Sequence, residues 1–135
     1  MEPITIYLAG EVHSAWRAEL QKLVEAKGVP AVLLERFRPD VPVRFVGPLD
    51  EHDRSDDVGE DIIGEQPSAR YRDLAGAGVN TLRTRVLMRR ADLMVAYFGD
   101  KYRQWNTAAD AGSALATGIP LLLVRSPELI HALQE

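Results

Sequence analysis

The sequence predicts an α/β protein, a doubly wound, flavodoxin-like or Rossmann-like parallel sheet of four to five strands with flanking helices. Two observations carry that expectation. Apolar residues at strand spacing and at helix spacing alternate along the chain, and glycine or proline punctuates the joins. Parallel neighbours in a sheet need crossover connections, and alternating strands and helices supply them.

Ile4, Ile6 and Leu8 alternate as a first strand. Ser14 is placed to cap a helix whose Trp16, Leu20, Leu23 and Val24 share one face, with Gly28 just past its end. Residues 29–42 contain three prolines and no clear period, so they are expected to be an irregular connection. A second strand, Val43–Val46, stops at Gly47-Pro48. Residues 49–78 form a long excursion, with one short helix near Val58–Gly64 and a turn near Ala69–Leu74. Val79, Leu82 and Val86 mark a helix that leads into the apolar strand Leu93–Phe98. A last helix from about Thr107 to Thr117 ends at Gly118 and precedes the strand Leu121–Val124. No repeat or low-complexity tract interrupts the chain, so residues 1–135 are expected to form a single domain.

Composition narrows the classes of function. With 46% apolar residues among 135, an ordinary core can form, yet no apolar run is long enough to suggest a membrane span. The absence of cysteine excludes a thiolate nucleophile and a zinc–sulfur site. Residues 1–9 lack the basic flank and apolar stretch of a secretory signal, so the expected location is cytoplasmic. Sixteen basic against twenty acidic residues leave a net charge of −4, which provides no field for gathering nucleic acid and favours small-molecule or protein partners. Seven of the twenty acids fall in residues 50–61, whereas Arg83, Arg85, Arg89 and Arg90 give a later helix a basic face. The two stretches are matched for pairing within the fold or between subunits.

In a doubly wound sheet, ligands bind outside the carboxyl ends of the strands, where strand order reverses. That rule selects Ala9–Ser14, Gly47–Arg54, Gly99–Thr107 and Arg125–Pro127. Gly10 permits a close backbone approach to a ligand, and Glu11 follows it. Neither a GxGxxG nor a Walker motif is present, so no nucleotide cofactor is implied. Tyr7, just below that loop, suits either a core or a site role. Asp110 is expected in the first turn of its helix, where the helix dipole would hold a carboxylate ionised. Thr107-x-x-Asp110 also fits a capping box, and caps are the commoner use of such spacing. His52, Asp53 and Arg54 belong to an acidic, hydrated tip with no recognisable metal-ligand spacing, and no metal is expected. Tyr102 and Trp105 suit a stacking wall for a planar base or simple packing. His13 and His131 are isolated and read as surface or cap residues.

Taken together, YLAGE near the start, GPLDEHDRSDDVGE, and the run VLMRRADLMVAYFGDKYRQWNTAADAGSALATGIPLLLVR resemble the YtoQ family, which is grouped with the nucleoside 2-deoxyribosyltransferases. The likeness covers most of the chain except residues 31–42. It implies a tyrosine on the first strand, here Tyr7, that positions a carboxylate nucleophile in a G-T-x-x-E-x-G-x-A motif. The matching run is Asn106-Thr107-Ala108-Ala109-Asp110-Ala111-Gly112-Ser113-Ala114, so the resemblance aligns Asp110 with the residue that attacks the anomeric carbon of a deoxynucleoside. Asp replaces Glu there, which retracts the carboxylate by one methylene. Gln104 stands where the family has an acid six residues before the nucleophile. Arg83-Thr84 stand near the place of another family acid, and Arg83 suits a phosphate, which extends the implied substrate from nucleosides to nucleotides.

The resemblance thus implies cleavage or transfer of an N-glycosidic bond through Asp110 and Tyr7. Gly10, Glu11, His52, Asp53, Arg54, Arg83, Gln104, Trp105, Asn106 and Thr107 are the expected substrate contacts. An alternative is a nucleotide-binding module that keeps the pocket and lacks catalysis, in line with the Asp and Gln replacements. A third makes the HDRSDD stretch a protein or metal contact. The family pattern leads one to expect a further strand and helix after Val124. With the strand Leu121–Val124 as a potential exposed edge, a homodimer or higher homo-oligomer is expected, one of the two charged stretches near its interface.

Overall fold

The computed structural model describes residues 2–33, 40–49, 52–99 and 104–128, with His52 and Asp53 described only by their place in a helix. The order of elements is β1 (Ile4–Gly10), α1 (Trp16–Ala26), β2 (Ala31–Leu33), β3 (Val43–Val46), α2 (His52–Ile63), α3 (Ala69–Arg89), β4 (Leu93–Phe98), α4 (Trp105–Thr117) and β5 (Leu121–Arg125). The strands form one all-parallel sheet in the order β2-β3-β1-β4-β5. The expected doubly wound α/β fold is therefore present, with five strands. The fifth is β2, which pairs with β3 inside the stretch expected to be irregular. At three residues it is too short to show a period.

The period of two along the central strands sorts the core between two faces. Tyr7 and Ala9 of β1 join Met94, Ala96 and Phe98 of β4 against Met88 of α3 and Ala111 and Ala114 of α4. Leu8, Phe45 and Val95 point the other way and pack with Trp16, Leu20 and Val24 of α1. Hence α1, which follows β1, and α4, which follows β4, cover opposite faces. The adjacent carboxyl ends of β1 and β4, where Gly10 is in register with Tyr97, form the crevice at which the winding reverses.

The excursion after β3 is more ordered than its composition suggests. It is a helical hairpin in which α2 and α3 meet through glycine: a Cβ on Gly59 would lie 2.5 Å from backbone atoms of Ala75 and Gly76. Arg72 pairs with Asp57 across the hairpin, and Asn80 Nδ2 donates to the Ser55 carbonyl at 3.0 Å. The acidic stretch thus finds a cation within the fold in Arg72. HDRSDD lies in helix and not in a loop tip. Leu82, expected on the buried face of α3, is 66% exposed, and Val86 is also exposed; Gly76 and Met88 are the buried residues. Leu23 of α1 is likewise exposed.

Two helix starts also differ from expectation. Ala15, not Ser14, is the N-cap of α1, and the Ser14 Oγ is buried without a hydrogen bond. Gln104 is the N-cap of α4, so Thr107 is the third helical residue and Asp110 lies in the second turn. The capping box is therefore not formed. Leu122, Leu123 and Val124 of β5 are exposed among the described residues. No described helix is long and apolar enough to cross a membrane.

Candidate active site

At the end of β1, one cation fixes the backbone. Arg17 is 2% exposed, and its guanidinium donates to the carbonyl oxygens of Leu8, Gly10 and Glu11 at 2.7–3.3 Å. These carbonyls lie at and beyond the end of the strand, where the sheet no longer supplies donors, so a multidentate donor satisfies them together. Trp16 Nε1 donates to the Glu11 carbonyl at 2.9 Å, and its ring stacks on Tyr97 with centroids 5.0 Å apart. Gly10 has φ +154°, and a Cβ there would lie 2.8 Å from the Tyr97 carbonyl oxygen and 2.9 Å from the Trp16 ring. Glycine at this position thus admits β4 and Trp16, neighbours within the fold.

Below this staple, Tyr7 on β1 faces α3 and α4. It is fully buried, and its hydroxyl has no partner of good hydrogen-bonding geometry. Burial, and then the nearby charge of Asp110, push its pKa up to about 12, against the opposing influence of Thr84, Arg17 and Arg83. At neutral pH the hydroxyl keeps its proton and is a hydrogen-bond donor in search of an acceptor. Asp110 sits half-buried beside the buried stripe Thr107, Ala111 and Ala114 of α4. Burial raises its pKa to about 6. The expected dipole effect, which would have lowered it, is overridden because Asp110 lies beyond the first turn. The carboxylate remains mostly ionised at pH 7 while poorly solvated. Arg83 Nη1 donates to the Gly47 carbonyl at 2.6 Å, which holds the arginine over the end of β3.

A second group of polar atoms surrounds Gly99, past the end of β4. A Cβ on Gly99 would lie 3.2 Å from Tyr97 Cε1, 3.3 Å from Glu11 Oε2 and 3.5 Å from Gln104 Nε2. Gln104 Nε2 donates to the Gly99 carbonyl at 3.3 Å. Glu11 is 7% exposed; its Oε1 and the Oε1 of Gln104 are buried without hydrogen-bond partners.

The fold accordingly brings Tyr7, Gly10, Glu11, Arg83, Gln104, Thr107 and Asp110 to the carboxyl ends of β1, β3 and β4. Thr107 is buried, Asn106 is exposed, and Trp105 is 72% exposed, so Trp105 has no packing role. Arg54 is exposed on α2, and the side chains of His52 and Asp53, with Tyr102 and His131, lie outside the described residues. His13 is exposed. No group of three or more candidate metal ligands occurs among the described residues. Sequence reasoning missed Arg17 and Tyr97 as site neighbours, and named Thr84 only beside Arg83. A signal for Arg17 existed: it stands at i, i+3 and i+7 with Leu20 and Val24, a charge on a buried stripe.

Comparison with known proteins adds two findings. Residues 7–135 match the family model described as nucleoside 2-deoxyribosyltransferase YtoQ. The chain is also 45% identical over 130 residues to the uncharacterized protein YtoQ of Bacillus subtilis (strain 168), covering 96% of this chain and 80% of that protein.

Proposed function

The chain belongs to the YtoQ family of nucleoside 2-deoxyribosyltransferases, and on that footing we propose that it breaks the N-glycosidic bond of a (deoxy)nucleoside or nucleotide by double displacement. The observation that carries this reading is Asp110: a poorly solvated carboxylate with no hydrogen bond or ion pair among the described residues, near the buried hydroxyl of Tyr7, which has no well-formed hydrogen bond. A carboxylate stripped of water is a better nucleophile than a hydrated one, and a protonated phenol can orient it.

Asp110 attacks C1′ while the C1′–N bond breaks and its electron pair leaves with the base, which then takes up a proton. The product is an ester between C1′ and Asp110. Water or a second base attacks C1′ of that ester and releases the carboxylate, with net retention, as in retaining glycosidases. Hydrolase and transferase differ only in the acceptor. Arg83, tethered by one nitrogen, keeps its other donors for a phosphate.

The test is incubation of purified protein with a panel of deoxynucleosides and deoxynucleotides, with and without an acceptor base. Free or exchanged base is expected from the wild type and none from Asp110→Ala; full turnover by that variant removes Asp110 from the mechanism. The replacement of the family's Glu by Asp110, and of its second acid by Gln104, favours one alternative, a nucleotide-binding module without catalysis. That alternative predicts nucleotide-dependent thermal stabilisation with no product. Exposed β5 further supports homo-oligomerisation. Light scattering after size exclusion tests it, and a 15.0 kDa species at every concentration rejects it.

A further inference from the structure

Resting on the reading that the chain self-associates, we propose that an exposed flank of α3 is the surface on which a second copy docks, antiparallel, about a twofold axis at Gly78. Helix α3 runs for 21 residues, and its inward side is occupied by Gly76 and Asn80 against α2 and by Met88 in the core. A separate stripe at helix spacing, formed by Tyr71, Leu74, Gly78, Leu82 and Val86, faces solvent. Leu74 is 59% exposed and Leu82 66%, and nothing lies within 4 Å of a Cβ placed on Gly78. At the rise of an α-helix the stripe is about 22 Å long. Single exposed apolar residues need no explanation, but several aligned along one helix form a contact surface.

The occupant follows from the order of residues along the stripe. In an antiparallel twofold pair, residues equally far before and after the axis face one another, and every contact is made twice. Leu74 and Leu82 stand four residues either side of Gly78, so each packs on the other in the second copy. Tyr71 and Arg85 stand seven either side, which sets a guanidinium against an aromatic face. Arg89 falls opposite Pro67, beside Glu65. Arg85, Arg89 and Glu65 are exposed and make no ion pair among the described residues, so their charges are available to this contact. At the centre, Ala77 and Gly78 are small enough for the two helix axes to approach to about 8–10 Å. Apolar residues matched with apolar ones, and cations with a ring and an acid, all on one helix, are the complementarity that a second copy of the same helix meets.

One helix pair is a small interface, so light scattering after size exclusion is run from about 1 μM to about 1 mM protein. The wild type is expected to reach at least twice the 15.0 kDa chain mass. Leu82→Glu, which sets a carboxylate against Leu74 at both contacts, should weaken the association at least about tenfold. Because Leu82 is exposed, that variant should keep the wild-type circular dichroism. The register is read by mixing. Leu74→Lys with Leu82→Glu should form a heterodimer tighter than either variant forms with itself, since one contact becomes Lys against Glu and the other stays Leu against Leu. A 15.0 kDa species throughout rejects self-association and this surface together. An oligomer that Leu82→Glu leaves undiminished overturns the α3 surface alone and, where Leu122→Glu dissociates it, assigns the contact to β5. A mixture that forms no heterodimer overturns the antiparallel register about Gly78. Base release is scored separately, and its absence leaves the surface standing.

Discussion

Replacing Asp110 by Asn separates the cost of holding a poorly solvated carboxylate from the use made of it. Burial raises the Asp110 pKa from 3.8 to about 6, so the ionised form is less stable in the folded chain than in the unfolded one. The folded state binds the proton more tightly. The penalty is therefore absent below the unfolded value of 3.8, grows as pH rises between 3.8 and about 6, and is fully present above 6. A shift of roughly two units corresponds to about 3 kcal/mol at full desolvation; Asp110 is half-buried and partly screened, so about 1–2 kcal/mol is expected. Asn cannot ionise, so Asp110→Asn should be more stable than the wild type by that amount at pH 8, with the gain shrinking towards pH 4.5. Urea denaturation followed by tryptophan fluorescence at several pH values measures it. Wild-type base release should rise with pH through about 6 as the nucleophile ionises, and the variant should show none. A variant no more stable at pH 8, or a gain that does not depend on pH, would show a well-solvated carboxylate and remove the physical basis of the nucleophile reading.

Tyr7→Phe removes a hydroxyl that has no well-formed hydrogen bond, so stability should change by less than about 1 kcal/mol while base release falls at least about tenfold; equal kinetics in the variant would exclude an orienting role. Arg17→Met keeps the stem and orphans the carbonyls of Leu8, Gly10 and Glu11, and should cost about 3–5 kcal/mol in chemical denaturation. Gly59→Ala drives a methyl into Ala75 and Gly76 and should cost about 2 kcal/mol or more, whereas Gly78→Ala, on the same hairpin with open space around it, should stabilise by about 0.5–1 kcal/mol. Thermal melts of the two variants moving in the same direction would contradict the close crossing of α2 and α3.

What was legible in the sequence follows from how each element is held. Strands β1, β3 and β4 bury apolar side chains and β5 is a continuous apolar run, so their composition announces them. The hairpin is different, because α2 and α3 approach through Gly59, Ala75 and Gly76 and leave Tyr71, Leu74 and Leu82 exposed. A hydrophobic period cannot find a contact made by the absence of side chains. The start of α4 was misplaced for a related reason. Neither Gln104 nor Ala15 makes a side-chain cap bond, and a search for Ser, Thr or Asp caps moves to the nearest such residue and misses the true start. The resemblance placed Tyr7 and Asp110 together, but the Arg17 staple and the approach of Glu11 and Gln104 to Gly99 depend on tertiary neighbours.

The distribution of unsatisfied polar atoms bears on why this chain keeps such a site. Folded proteins pair nearly all their buried polar groups, and each exception carries a desolvation penalty. Among the described residues, Tyr7 Oη, Glu11 Oε1 and Gln104 Oε1 lack a well-formed hydrogen bond at the junction of β1, β4 and α4, Ser14 Oγ lies in the neighbouring loop, and Arg72 Nε lies in the α2–α3 hairpin. Three of these five lie where the sheet winding reverses. Packing does not require them there: Phe at 7 would fill the same core, and an apolar residue at 11 would leave the Arg17 and Trp16 bonds intact, because those are made to backbone. The cluster makes physical sense if a ligand supplies the missing partners, so that the penalty borne by the empty protein becomes affinity and orientation when the site fills. Ligand-induced stabilisation should then be much smaller in Tyr7→Phe combined with Glu11→Leu than in the wild type, even where the empty double variant is the more stable protein. Undiminished stabilisation by nucleosides in that double variant would mean that the ligand binds elsewhere.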